Sequence, residues 1–431
     1  MIKQVKRWII CLLAVSFSVT LVPLPQGVAA QADAPAVAWP GEETIVVYDT
    51  ESVCYGNASG LDFHNGRLYA VDNGGGFLWV LEAFPDGTLR PADGYQLGRA
   101  LQYASHDSDN GPDVEGITVD GDGLVYLAVE RDNDTPWQTA NTILQIDPWD
   151  GADPIKAMRQ WELTELLPYA PANKGIEAVE WVSAEHIQGK LTDEKTGLPL
   201  DMAAYPDAVG NGLFFLVLEA DDQVYACILR GDGSAVRIAC LDPGLHGASA
   251  LEFDVAECAL WVASDDRGAN EAVKILFSQE KTEWVRLLPP AELDPRQNTE
   301  GFAIAEESFT RDDRRPVYRL RDGVYDGALT VGFLDWHIHE FPESWMTDPQ
   351  QHWHICRCGE TADRQDHVYV YAAVETAKKE NAGRKVVTVF HPSCSTCGYV
   401  DTARSFCIGQ ELFPEVADTA VARQLYGFPC V

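Results

Sequence analysis

A chain of 431 residues with 66 acidic and 32 basic side chains carries a formal charge of −34, which repels nucleic acid and anionic lipid and favours cations, divalent ones above all. Hydrophobic residues at 46% and aromatic residues at 10% exclude a disordered chain, and the length allows a sizeable core and more than one domain.

Lys3, Lys6 and Arg7 precede an apolar run from Trp8 to Val22 that leads to Val28-Ala29-Ala30, the pattern of a secretory signal peptide over residues 1–30. The competing reading is an uncleaved anchor, but the run is short for a span of ~20 residues and is broken by Ser16, Ser18 and Thr20. Cleavage removes three basic residues and no acids, moving the charge from −34 to −37. No later stretch is long and apolar enough to span a membrane, so the expectation is a secreted, extracellular or surface-associated chain.

Residues 41–335 read as one series. TIVVYD (Thr44 to Asp49) is a strand with no partner ahead of it. SGLDF (Ser59 to Phe63) then leads to a second apolar strand ending at Asp72, EGITV (Glu115 to Val119) to one ending at Glu130-Arg131, EAVEW (Glu177 to Trp181) to one ending at Glu219, and SALEF (Ser249 to Phe253) to one ending at Asp265. EGFAI (Glu300 to Ile304) opens a fifth copy, and successive starts lie 51 to 72 residues apart. Units of this length, each a period-two strand, a turn and another strand, predict an all-β fold, a β-propeller of five blades with a sixth possible. Thr44–Asp49 is then expected to close the last blade against C-terminal chain, leaving no open edge. Cys227 and Cys240 flank a hairpin and are expected to cross-link its strands.

In a propeller the first strand of every blade lines the central channel, so Ser59, Glu115, Glu177, Ser249 and Glu300 are expected to form a ring. Three carboxylates so placed repel one another unless a cation sits among them, and hard oxygen donors suit Ca²⁺. The plainer alternative is turn chemistry at a strand start. Asp72, Glu130, Glu219 and Asp265 form a further set, either a second layer of calcium ligands or solvated strand ends.

The pattern D-x-E-G, apolar strand, D-G turn and strand ending in Glu-Arg, clearest from Asp113 to Arg131, resembles the phytase-like (esterase-like phytase) secreted propellers. A looser likeness reaches the gluconolactonase group. The resemblance implies calcium-dependent hydrolysis of a small-molecule phosphate ester, with Glu115, Glu177 and Glu300 as the catalytic carboxylates. Phosphate binding needs basic groups, and Arg131, Lys174, Arg267 and Arg296 stand beside the repeat landmarks; local ion pairing is the alternative. The other function considered is a non-catalytic propeller braced by calcium that binds a surface ligand.

From Asp335 the text changes. Cys356, Cys358, Cys394, Cys397, Cys407 and Cys430 are six of the ten cysteines beyond the leader, and six of the ten histidines lie there too. Residues 345–402 resemble the W-x-x-D, H-W-H-x-C-x-C-G and C-x-x-C-G-Y repeats of secreted and surface proteins of Gram-positive bacteria, and 403–431 form a tail. Cys356-x-Cys358 and Cys394-x-x-Cys397 predict two zinc knuckles separated by a hairpin (HVYVYAAV and RKVVTVFH), with His354 or His367 able to replace a sulfur; two disulfides are the alternative. Either cross-link compensates for a module too small and polar to stand alone.

Overall fold

The structure is a computed structural model that describes residues 28–29, 35–47, 56–279, 281–337, 339, 341–356, 359–379, 385–404 and 406–408. Most of the expected leader, Cys358, Cys430 and most of the expected tail lie outside the described residues. The chain divides into two compact units, Met1–Trp336 and His337–Val431.

The first unit is nearly all β. Its repeats supply five antiparallel sheets among the described residues, opening with the inner strands Ala58–His64, Pro112–Val119, Ile176–Ser183, Ala248–Asp254 and Thr299–Ile304. Each pairs with the second strand of its own repeat, and further strands continue outward; in the second sheet these are Val125–Asp132, Thr142–Ile146 and Arg159–Glu162. The inner strands pack side by side in a closed cycle, the fifth against the first, which is the propeller arrangement. Val46–Val47 pairs antiparallel with Leu329–Asp335 and so closes the fifth sheet with N-terminal chain. Val28–Ala29, from the expected leader, runs parallel to Leu241 and Asp242 at the rim of the third.

Sandwiching explains why the second strands read as unbroken apolar runs. In Gly212–Leu218, Phe214, Leu216 and Leu218 pack with Tyr126, Ala128 and Ile143 of the second sheet, while Leu213, Phe215 and Val217 pack with Leu251, Phe253, Leu260 and Val262 of the fourth. A strand buried on both faces needs hydrophobic residues at every position. Asp254 and Arg315, both 2% exposed at the side chain, form an ion pair at 2.5 Å between the fourth and fifth sheets.

Two positions show how tightly the axis closes. A Cβ on Gly60 would lie 2.8 Å from the Cα of Gly116, and one on Gly116 would lie 2.7 Å from the Cα of Ala178. The inner strands therefore touch backbone to backbone at this level, and only small residues fit.

The expected Cys227–Cys240 cross-link is absent, and both thiols are free. A bulge between Ala226 and Cys227 sets Cys227 opposite Arg237 and Cys240 opposite Tyr225. Cys227 enters the core between the second and third sheets, where burial pushes its thiol up to about 12.

The second unit holds a three-stranded sheet of Met346–Thr347, Gln351–Ile355 and Thr361–Asp366, and a hairpin of Tyr369–Lys379 and Lys385–Cys394 extended by Phe406–Ile408.

Gly116→Val should lower the unfolding free energy by ~1–3 kcal/mol or more, as overpacking does, in a urea titration; an unchanged midpoint would contradict the backbone contact at the axis.

Candidate functional site

Every inner strand breaks register with its neighbour near its start: between Ala58 and Leu61, Val114 and Gly116, Ile176 and Ala178, Ala248 and Ala250, and Thr299 and Gly301, with a further shift between Asp113 and Val114. The residues left without a cross-strand partner are Ser59 together with Gly60, Glu115, Glu177, Ser249 and Glu300. A bulge re-aims its extra residue, and here Glu115, Glu177 and Glu300 all turn into one cavity of about 290 Å³ at the channel mouth. Asp113, Glu130, Glu219, Asp322, Arg131, Asn73, Asn133 and Asn173 complete most of its wall. Seven carboxylates therefore face one guanidinium, which leaves the mouth strongly electronegative.

The closest convergence is of Asp113, Glu115 and Glu130, each offering an oxygen within 4.8 Å of the others, a group that could hold a metal ion. Glu115 is 7% exposed; its Oε2 accepts from Ser59 Oγ at 2.9 Å and from Asn73 Nδ2 at 3.2 Å. Glu130 Oε1 accepts from Gly175 N–H at 2.6 Å. Arg131 spans two of these acids, with Nε 2.7 Å from Asp113 and Nη1 2.8 Å from Glu130, and donates to Asn173. Asn298 donates to Glu300 Oε1 at 2.9 Å, while the buried Glu300 Oε2 has no hydrogen-bond partner among the described residues.

Crowding shows in the titration behaviour. Burial, then Asp113, Glu300 and Glu130, hold Glu115 well above the usual carboxylate range. Burial, then Glu115, Glu219 and Glu300, do the same for Glu177. Burial and Asp322 push Glu300 up to about 8, and burial takes Asp113 to about 7 against the pull of Arg131. Glu130 is raised by burial as well.

Of the further set, Glu130 and Glu219 line the cavity, while Asp72 and Asp265 do not. The amides of Glu219, Asp265 and Asp322 donate to the carbonyls of Gly175, Gly247 and Asn298, each two residues before a ring residue. In the first sheet the amide making this bond belongs to Asn73, which donates to Asn57. Asn73, not Asp72, therefore holds the equivalent position. Asp72 lies outside the cavity lining, and its Oδ1 accepts from Gly75 and Phe77 N–H at 3.1 and 3.2 Å, a turn-forming role. Asp265 caps its own short turn through Arg267 N–H at 2.7 Å and also lies outside the lining. Asp322 was missed because the fifth repeat was followed only through its first strand, although Arg321-Asp322 ends the second. Asp113 is part of the D-x-E-G motif, whose spacing alone does not mark it as a neighbour of Glu130.

Of the four basic candidates, only Arg131 lines the cavity. Lys174 Nζ and Arg267 Nη1 both bind Glu219 Oε1, at 2.6 and 2.7 Å, so they stand just behind the wall. Arg296 is not brought to the site: its side chain is 87% exposed and pairs with Asp294 at 3.0 Å.

A second ring lies at the other mouth. Asp62, Glu180 and Glu252 occur three residues after Ser59, Glu177 and Ser249, and they line a larger cavity of about 480 Å³ with His64, His186 and Arg315. Between the mouths the channel narrows to a cavity of about 10 Å³ beside Gly60, Gly116, Ala178 and Ala250. The lower carboxylates are tied to neighbouring strands: Asp62 accepts Val119 N–H at 2.6 Å and Glu180 accepts Phe253 N–H at 3.1 Å. Burial raises Asp62 to about 7 and raises Glu180 and Glu252 well above the usual range. Though larger, and lined also by Asp254, Glu306 and Glu307, this cavity lacks the convergence seen above; among the described residues its carboxylates form no group of three within 4.8 Å.

In the second unit, His352, His367, Cys394 and Cys397 bring one ligand atom each within 4.8 Å of the rest. Nδ1 of His352 is 3.4 Å from Nδ1 of His367 and 3.9 Å from Sγ of Cys394, and Cys397 Sγ is 3.5 Å from His367 Nδ1. The Nε2 of His367 donates to the Asp348 carbonyl at 2.8 Å, which leaves Nδ1 for a metal. His352 thus takes the place expected of His354, which instead packs its ring 3.8 Å from that of Trp345 and approaches the Ser344 carbonyl. A bulge between His352 and His354 in the pairing with Thr361–Asp366 sends the two histidines apart. Cys356 belongs to a different group, with His337 and His339, and Cys358 lies outside the described residues.

No protein-family model matches the chain, and no curated protein matches it. Solved structures similar to it include Myxococcus xanthus glutaminyl cyclase, 11% identical over 67% of this chain and 94% of that one at a TM-score of 0.39. Pseudomonas aeruginosa periplasmic gluconolactonase is 13% identical over 80% and 84% at 0.31, and the Malassezia sympodialis allergen Mala s 1 is 9% identical over 72% and 89% at 0.33. At these values the propeller assignment rests on strand order and the closed cycle of inner strands. No helix among the described residues is long and apolar enough to cross a membrane.

The raised carboxyls set a sign for stability without divalent ions. The folded chain keeps protons that the unfolded chain releases, so stability is lost as pH rises from about 4, the unfolded carboxyl value, through the folded values of about 7 for Asp113 and about 8 for Glu300. Each such group withdraws up to about 1.4 kcal/mol per pH unit in that window. In chelator, urea titrations should give lower stability at pH 8 than at pH 5.5, with a smaller drop in Glu177→Gln; equal or rising stability would contradict the crowded mouth.

Proposed function

We propose that the first unit is a secreted, calcium-dependent hydrolase of phosphate esters, resembling the phytase-like propellers. The observation that carries this reading is the convergence of Asp113, Glu115 and Glu130 within 4.8 Å beside Arg131 in an open cavity. Oxygens so spaced fit a cation bound at ~2.3–2.6 Å, and an all-carboxylate set with adaptable geometry suits calcium better than zinc. When bound, the ion supplies positive charge to phosphoryl oxygens and lowers the pKa of water.

The chain's own residues then divide the work. Asp113, Glu115 and Glu130 hold the cation. Arg131 keeps its guanidinium at the cavity wall, where phosphate oxygens can share it with Asp113 and Glu130. Glu177 and Glu300 face the same space; Glu300, raised to about 8, is suited to taking a proton from an attacking water once a bound cation has displaced its own. Asn73, Asn133 and Asn173 add polar side chains around the substrate space.

A second reading, a calcium-braced propeller that binds a ligand without turnover, is favoured by one observation: Lys174 and Arg267 are already committed to Glu219. In the second unit the ion that fits His352, His367, Cys394 and Cys397 is zinc. Bonds of ~2.0 Å to nitrogen and ~2.3 Å to sulfur at tetrahedral angles place ligand atoms about 3.3–3.8 Å apart, and the separations are 3.4, 3.5 and 3.9 Å.

With calcium, the chain without its leader should hydrolyse p-nitrophenyl phosphate or inositol hexakisphosphate, stop in chelator, and lose about 100-fold or more of kcat in Glu115→Gln. Calcium affinity should rise about tenfold or more from pH 5.5 to 7.5, because binding displaces protons from the raised carboxyls. Calcium-dependent thermal stabilisation with no turnover of either ester would replace the hydrolase by the brace.

A further inference from the structure

We infer that the second unit binds two metal ions and not one, the second held by His337, His339 and Cys356. The sequence grouped Cys356 with Cys394 and Cys397 around a single centre. The structure divides them: Cys356 Sγ lies 3.1 Å from His337 Nε2, and the ligand atoms of His337, His339 and Cys356 fall within 4.8 Å of one another, a group that shares no member with the His352, His367, Cys394 and Cys397 tetrad.

Three features make this a metal-binding arrangement and not a chance contact. His337 and His339 are two apart in sequence, neither lies in a helix, and their ring centroids are 5.1 Å apart. Cys356 is 3% exposed, so its sulfur is presented inward in a unit with few other buried side chains among the described residues.

The third feature is the turn that carries Cys356. Its N–H donates to the Glu360 carbonyl at 2.8 Å, Gly359 N–H donates back to the Cys356 carbonyl at 2.9 Å, and Gly359 takes a φ of 101°. At the other knuckle, Cys394 N–H donates to the Tyr399 carbonyl at 2.8 Å, Gly398 N–H donates to the Cys394 carbonyl at 3.0 Å, and Gly398 takes a φ of 74°. The same backbone device thus presents a cysteine to two histidines in both places. Two imidazoles and one thiolate are borderline-soft donors that select zinc and reject calcium. His339 is exposed, so this ion exchanges faster than the one in the tetrad. The inference does not depend on zinc in the tetrad, since the two groups have separate ligands.

The test is a metal count on the full chain without its leader, kept reduced, stripped by chelator and reloaded with zinc, read by native mass spectrometry. Wild type should bind two zinc ions per chain. Cys356→Ser and the double variant His337→Ala/His339→Ala should each bind one, as should His352→Ala, which removes the other ion. With cobalt in place of zinc, Cys356→Ser should remove about one third of the sulfur-to-metal charge-transfer absorption, one thiolate of three. A readout on wild type guards against misfolded variants: the second equivalent of zinc should protect Cys356 from iodoacetamide. One zinc per chain that survives Cys356→Ser and vanishes in His352→Ala would overturn the second centre and leave the first. Alkylation of Cys356 at the same rate with and without zinc would overturn it too.

Discussion

A β-bulge at the start of each inner strand compels a polar side chain to leave the sheet and enter the channel, and three of the five residues so displaced are glutamates. Their proximity is set by backbone packing: small residues let neighbouring inner strands touch, and Gly116 leaves no space for a side chain against Ala178. The sheets cannot spread to relieve the repulsion without opening that contact. What remains is to neutralise it, by protons, by Arg131, or by a cation. The raised carboxyls of Glu115, Glu177 and Glu300 express the first route, and the spacing of Asp113, Glu115 and Glu130 is suited to the third.

The two mouths resolve the same constraint differently. At the lower one, Asp62 and Glu180 spend an oxygen each on the amides of the next inner strands to pack against them, so the charge is absorbed into the ring that holds the sheets together. At the upper one, the carboxylates meet mainly one another, asparagine side chains and a guanidinium at an open cavity. Electrostatic cost kept within reach of solvent can be exchanged for binding; cost spent on inner-strand amides becomes structure.

Much of this was legible in the repeats. Strand starts, the shared placement of Glu115, Glu177 and Glu300, and the use of Val46–Val47 to close the last sheet follow from a period-two pattern recurring at long intervals. Reading at period two is also why the rest was missed. One extra residue lets positions i and i+3 share a face, so Asp62, Glu180 and Glu252 looked as if they belonged to the opposite side from the ring. The same slip set Asp72 in the place of Asn73. In the second unit a bulge separates His352 from His354, two residues that a regular strand would point the same way, so His352 and not His354 stands beside His367, Cys394 and Cys397. Arg296 stood near Glu300 in sequence but sits on an exposed loop beside Asp294.

The most direct test of the account is the position of a cation in crystals of residues 31–431 grown with terbium in place of calcium and located by anomalous scattering. The account predicts a peak at about 2.3–2.6 Å, a hard cation's bonding distance, from oxygens of Asp113, Glu115 and Glu130. A cavity without a peak, with Arg131 still bridging Asp113 and Glu130, would contradict it.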